Sequence, residues 1–187
     1  MREKRSQWRG KIEGIDLDRL VFIDETGAKT NMTRRYGRAA KGERVNDSTP
    51  SGHWGTTTCV ACVTTRGPIA PFLLEGAIDG DAFLIYVERV LAPLLRPGDV
   101  LVMDNLSTHK SQPARRAIEA AGARILDLPP YSPDLNPIEK MWSKLKAYLR
   151  KAAARTPEAL TEAVAQALRT ITIQDAFGWF RSCGYTK

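Results

Sequence analysis

Residues 128–139, Leu-Pro-Pro-Tyr-Ser-Pro-Asp-Leu-Asn-Pro-Ile-Glu, leave the backbone little freedom. Pro129, Pro130 and Pro133 each fix φ ahead of Asn136, so this stretch cannot continue a helix. Asn136 can cap a new one, with Pro137 at the first helical position, where a missing N–H costs nothing. Ile138, Met141, Trp142, Leu145 and Leu149 then recur at helical spacing. The loop therefore delivers Glu139 onto the first turn of a helix. Two roles are open to that carboxylate. Asn136 and Glu139 have the spacing of a capping box, so Glu139 can simply close the helix end. Held by the prolines, it can instead meet Asp24 and Asp104.

Those two aspartates each follow a short apolar run. Leu20-Val21-Phe22-Ile23 precedes Asp24, and Val100-Leu101-Val102-Met103 precedes Asp104. Such runs read as buried strands. Residues 56–65 read as another strand, Arg66-Gly67-Pro68 as a turn and residues 69–74 as its hairpin partner. A helix capped by Asp79 or Asp81 follows, with Phe83, Val87, Val90, Leu91 and Leu94 on one face. Residues 113–121 read as a helix stopped by Gly122, and residues 124–128 as a strand. After the Glu139 helix, Leu160, Val164, Leu168 and Ile171 line one more helix. Residues 27–55 are polar and basic, an irregular excursion with short strands expected around 33–36 and 42–45.

The order is β, β, β, α, β, α, β, α, α. This predicts an α/β chain, a mixed five-stranded sheet covered by helices. Adjacency rules place the Asp24 strand beside the Asp104 strand in parallel. Both aspartates then lie at the carboxyl edge of the sheet, where ligand sites of open α/β sheets sit. The domain is expected over residues 20–172. Residues 1–19 read as a linker or remnant of an upstream region, and residues 173–187 as a C-terminal tail that includes a short helix.

A chain of 187 residues can bury a full core. No apolar run reaches the ~20 residues of a membrane span, and the N-terminus lacks a signal-peptide core. A cytoplasmic, nucleoid-associated protein is expected. The formal charge of +7 favours a polyanion partner, nucleic acid first. The charge is concentrated. Arg34, Arg35, Arg38 and Lys41 lie in one basic segment, and Lys140, Lys144 and Lys151 in another directly after Glu139. The second set, nearly in i, i+4 register, can track phosphates or form a solvated helix face. Cys59 and Cys62 have metal-knuckle spacing without a second pair. Three apart on a strand, they point to opposite faces and read as core thiols.

Three carboxylates at one sheet edge repel one another unless cations hold them. They suit hard divalent ions that bind oxygen and leave positions open for phosphate. Two such ions ~3.5–4 Å apart can activate the attacking oxygen and stabilise the leaving oxygen in displacement at phosphorus.

Three blocks carry a resemblance. They are Asp24-Glu25-Thr26-Gly27, residues 102–110 (Val-Met-Asp-Asn-Leu-Ser-Thr-His-Lys) and residues 128–146 (the proline loop running into Lys-Met-Trp-Ser-Lys-Leu-Lys). Together they resemble the signature blocks of DDE transposases, in particular the bacterial insertion sequence 630 group of the mariner superfamily. The 34 residues between Asp104 and Glu139 match the spacing of that group. The resemblance spans roughly residues 20–170. It implies a ribonuclease H-like fold with helices on both sheet faces. It also implies a catalytic, metal-binding triad of Asp24, Asp104 and Glu139 and two Mg2+ ions, for which Mn2+ can substitute. The implied activity is cleavage at transposon ends in double-stranded DNA and joining of the freed 3′-hydroxyl to target DNA, at TA. The working complex is expected to be a homodimer.

Full-length members carry N-terminal helix-turn-helix domains that recognise the transposon ends. This chain begins about two dozen residues before Asp24. It is expected to be a catalytic-domain piece, a truncated copy, or the second half of a split frame whose helix-turn-helix half is separately encoded. The alternative function is a catalytically inactive DNA-binding remnant or regulator.

Other candidates carry two readings each. Glu25 adjoins Asp24 but points to the opposite face if the strand persists. His109 can contact DNA or make ordinary loop hydrogen bonds. Asn105 and Asn136 are expected to support the metal ligands or cap backbone. Trp54 can stack on a flipped base, whereas Trp142 belongs to the apolar stripe and the core.

Overall fold

β1 (Leu20–Lys29) is the middle strand of a five-stranded sheet in the order β3-β2-β1-β4-β5, with β2 (Thr56–Thr64), β3 (Gly67–Glu75), β4 (Val100–Met103) and β5 (Arg124–Asp127). The computed structural model describes residues 2–48, 50–51, 54–104 and 111–186. β1, β2 and β3 are antiparallel neighbours, whereas β1, β4 and β5 run parallel. The helices are α1 (Arg2–Ile12), α2 (Gly80–Tyr86), α3 (Gln112–Ala120), α4 (Ile138–Ala152), α5 (Pro157–Arg169) and α6 (Ile173–Ser182).

Strand parity divides the core in two. Leu20, Phe22 and Ala28 of β1 pack on the side of α1, α4, α5 and α6. Val21 and Ile23 pack on the side of α2 and α3. A strand buried on both faces must be apolar at every position, so the run 20–23 shows no alternation. Cys59 and Cys62 are buried thiols and fall in the two different clusters, as strand parity requires. On the first face, Phe22 meets Phe180 edge-to-face, with centroids 5.3 Å apart at 89°. Such a pair contributes ~0.5–1.5 kcal/mol beyond its buried area.

The helices begin and end where local chemistry allows. Asp79 caps α2, its Oδ1 accepting from Ala82 N at 2.8 Å, and Asp81 does not. α2 then continues through a π turn, Val87–Leu91, and a 3-10 turn, Ala92–Leu94. Gly122 ends the α3 unit at φ +82°, where a Cβ would meet Pro97 Cα at 3.1 Å. Thr156 caps α5, and Thr172 with Asp175 forms a capping box on α6. Among the described residues no helix is long and apolar enough to cross a membrane.

Three expectations are corrected. β1 does not stop at Asp24, because β2 continues to pair with it as far as Lys29↔Thr56 after β4 has ended. Residues 33–36 and 42–45 form no strands and are exposed or nearly so. The stretch 1–19 is no mere linker. Eleven of its residues form α1, and Trp8 is 3% exposed within the core. In residues 173–187 the expected short helix is α6, which buries Phe180 completely, with Tyr185 beside it. The packed unit therefore extends past 20–172 at both ends.

We expect Trp8→Ala to lower unfolding free energy by about 3 kcal/mol in urea titrations, the scale for a buried aromatic. A change below ~0.5 kcal/mol, the scale of a surface substitution, is the result expected of a linker.

Candidate active site

Asp24 and Asp104 are brought level by strand register. β1 and β4 pair as Leu20↔Val100, Val21↔Leu101 and Phe22↔Val102, and the same offset aligns Asp24 with Asp104. Both lie just beyond the last parallel pair, where β4 ends and the sheet edge opens. Asp24 has the parity of Leu20 and Phe22 and so faces the α4 side. The strand persists through Glu25, which has the parity of Val21 and Ile23, yet Glu25 still borders the same cleft.

The third acid arrives from the proline loop. Leu128 N donates to Met103 O at 2.8 Å, so the loop leaves the sheet hydrogen-bonded to the residue before Asp104. A 3-10 turn, Pro133–Leu135, follows, with Leu135 N on Ser132 O and Asn136 N on Pro133 O, both at 3.0 Å. Asn136 is extended (φ −108°, ψ 101°) and its carbonyl accepts from Glu139 N at 3.2 Å.

The backbone thus behaves as a cap, but the side chains do not. α4 has no side-chain cap, so the capping-box role of Glu139 is corrected. Asn136 is 4% exposed, and among the described residues its Oδ1 has no hydrogen-bond partner. The Trp142 Nε1 donor is likewise buried without a partner, although its ring packs in the core as expected. Glu139 itself is exposed.

Asp24, Asp104 and Glu139 line one cleft of about 760 Å3, together with Asn136 and Trp142. Burial pushes the Asp24 carboxyl up to about 7, and the charges of Glu25, Glu139 and Asp104 push it the same way. The Glu25 N–H, donating to Asp24 Oδ1 at 2.8 Å, opposes that rise without cancelling it. Among the described residues no three acid, histidine or cysteine side chains close to metal-holding spacing. The donor set is nevertheless all oxygen. Three carboxylates and an unpartnered amide oxygen around one cleft fit a hard divalent cation.

The basic candidates separate. Lys144 is tied to Asp175 and to Thr170 O and so links α4 to α6. Lys140 and Lys151 are exposed. Arg34, Arg35, Arg38 and Lys41 are exposed on the excursion and do not line the cleft. Arg155 pins the base of that excursion by donating to Thr30 O and Met32 O. Trp54 is half-buried and lies outside the cleft lining. Asn105 and His109 lie outside the described residues. Two cleft residues, both within the third block, were not singled out as site residues. Lys146 follows Glu139 by seven positions, a helical repeat that could have flagged it. Tyr131 is 87% exposed at φ +52°, a conformation nothing in its residue type announces.

Burial of Asp24 links stability to pH. Its folded pKa lies above the ordinary carboxyl value, so its contribution is fully present below about pH 4 and is lost as pH rises through 7. In EDTA we expect Asp24→Asn to be more stable than the parent at pH 8, by about 2–4 kcal/mol, and equal to it near pH 4. Urea unfolding at both pH values checks this, and equal stabilities at pH 8 would contradict it.

A comparison with curated proteins finds no match. Solved structures do match. The Mos1 transposase paired-end complex with left transposon end superposes with a TM-score of 0.72 at 17% identity, covering 97% of this chain and 56% of that one. The catalytic domain of Mos1 mariner transposase superposes at 0.66 and 18%, covering 98% and 85%. Its complex with raltegravir and Mg superposes at 0.69 and 17%, covering 97% and 88%. This chain spans little more than half the length of the fuller Mos1 chain. At such identities the likeness is one of fold, and it is the ribonuclease H-like fold that the sequence blocks implied. Residues 19–161, which include Asp24, Asp104 and Glu139, match the DDE superfamily endonuclease family, and the chain belongs to that family.

Proposed function

We propose that this chain is a transposase catalytic domain that cleaves DNA strands and transfers them, using divalent cations held by Asp24, Asp104 and Glu139. The observation that carries the reading is the convergence of these three acids, from β1, from the end of β4 and from α4, on one cleft. Family membership supports nuclease chemistry. Mos1, whose fold is shared, has been solved in paired-end complexes with Mg and with Mn.

When bound, two Mg2+ or Mn2+ ions supply charge neutralisation and Lewis-acid assistance to in-line displacement at phosphorus. The rest belongs to the chain. Asp24 and Asp104 present oxygen ligands from rigid strands, and Glu139 closes the set from the first turn of α4. Burial and the neighbouring acids disfavour the charged form of Asp24, and a cation held there would favour it. Lys146 in the cleft, with Lys140 and Lys151 along α4, neutralises phosphate oxygens. The exposed Arg34, Arg35, Arg38 and Lys41 hold duplex outside the cleft without reading sequence.

The substrate in this reading is double-stranded DNA: the two transposon ends, then a target opened at TA. The chain works as a homodimer, one copy per end, in the bacterial cytoplasm at the nucleoid. In this reading the chain is a member of the insertion sequence 630 group.

Asp104→Asn and Glu139→Gln are each expected to lower Mn2+-dependent nicking more than a thousandfold while leaving duplex affinity within about twofold. Nicking at the parent rate in either variant would overturn the assignment. Parent protein that binds duplex but never nicks it would favour an inactive DNA-binding remnant. The triple change Arg34→Ala, Arg35→Ala and Arg38→Ala is expected to weaken binding and reduce the salt slope by about 2–3, at ~0.9 per phosphate contact. An unchanged slope would remove the excursion from the DNA path.

A further inference from the structure

The loop that sets Glu139 is held from outside the family-matched residues 19–161. Tyr185, just past α6, donates its hydroxyl to Leu135 O at 2.6 Å. That carbonyl belongs to the 3-10 turn four residues before Glu139. The same hydroxyl accepts from Trp8 Nε1 of α1 at 3.3 Å. Both rings are buried, Trp8 at 3% and Tyr185 at 5% exposure. One turn earlier on α1, Arg5 places its guanidinium on the Asp134 carboxylate in a two-pronged contact, with a further bond to Ser132 Oγ at 3.4 Å. Three donors therefore converge on Ser132, Asp134 and Leu135, at the turn that leads into α4.

Tyr185 also touches the other limb of the site. Its ring lies 5.2 Å from Phe22, two residues before Asp24 on β1. One side chain thus spans the strand that carries the first acid and the loop that carries the third. The underside of the loop is not packed solid. A cavity of about 410 Å3 opens there between Trp8, Leu135, Cys183 and Tyr185. With space beneath it, the turn is positioned by directional bonds more than by close packing. Burial pushes the Tyr185 hydroxyl well above its ordinary range, so it stays a neutral donor throughout the working pH range.

We propose that Tyr185, supported by Trp8 and aided by Arg5, is the positioning residue for Glu139, fixing the reach of the third acid toward Asp24. The role rests on the metal-site reading above. It is distinct from that reading, because none of these residues touches the cleft. α1 and the C-terminal turn form a brace across the site's two limbs, and the family-matched segment alone lacks it.

Tyr185→Phe tests this, since it keeps the ring on Phe22 and removes only the hydroxyl. Arg5→Gln removes the fork at the surface. Val164→Ala, a core truncation in α5, supplies a control that lowers stability without touching the loop. Two readouts are compared on the full chain: Mn2+ affinity by calorimetry, and amide exchange of Leu135 and Asn136 in EDTA. Tyr185→Phe is expected to weaken Mn2+ binding five- to twentyfold and to speed exchange at both amides at least tenfold. Arg5→Gln is expected to do the same to a lesser degree, and Val164→Ala to leave Mn2+ affinity unchanged despite its lower melting temperature. Parent-like Mn2+ affinity in Tyr185→Phe would overturn the positioning role and leave the metal site standing. Parent protein that binds no Mn2+ would overturn the metal site, and the positioning role with it.

Discussion

The parallel pairing of β1 with β4 is the constraint on which the rest of the molecule depends. It exists because both runs are apolar at every position and can be buried on both faces. Its register aligns Asp24 with Asp104, and its early end after Phe22↔Val102 opens the sheet edge where they lie. A one-residue slip of β1 would turn Asp24 to the α2–α3 face and bring Glu25 to the α4 side. The hydrophobic alternation between the two core clusters forbids that slip, because Phe22 and Ile23 would exchange environments. Core packing thus fixes the position of a charged group that itself adds nothing to the core.

That position is unfavourable for a carboxylate. Asp24 is 8% exposed and shares the cleft with three other acids, Glu25, Asp104 and Glu139. Burial and the neighbouring acids raise its pKa to about 7, and that tension is what a cation would relieve. The surroundings are built to resist relaxation in other ways. Prolines stiffen the loop, Arg115 joins α3 to Asp127 at the end of β5 by a two-pronged contact, and Tyr185 ties Leu135 down. A site that is costly when empty needs a rigid frame, otherwise the acids would turn outward into water.

The residues that could be read from the chain were those with a strong local signal. The apolar runs 20–23 and 100–103 marked buried strands, and the crossover rules placed them side by side. The proline block marked the turn before α4 and the delivery of Glu139. The misreadings have physical causes. β1 runs on past Asp24 because its antiparallel partner is longer than its parallel one, a tertiary fact with no local trace. α1 shows little amphipathic pattern, because Trp8 alone supplies its buried anchor. Asn136 and Glu139 have the spacing of a capping box, yet the amide is turned into the protein and the acid toward the cleft. The contact of Lys144 with Asp175, 31 positions away, likewise left no local trace. Lys146, two positions on, faces the cleft instead. Helix charge alone does not separate a strut from a phosphate contact, since that depends on what packs opposite.

The central claim is that Asp24, Asp104 and Glu139 act as one cation site. Mn2+ broadens nearby amide resonances steeply with distance, so a titration of isotope-labelled protein locates the ion directly. The account predicts that amides from residue 24 to 27, at Asp104 and at Asn136, Ile138 and Glu139 broaden first, and that Asp24→Asn abolishes the effect. Broadening centred elsewhere, such as around Cys59 and Cys62, or none at these three limbs, would contradict it.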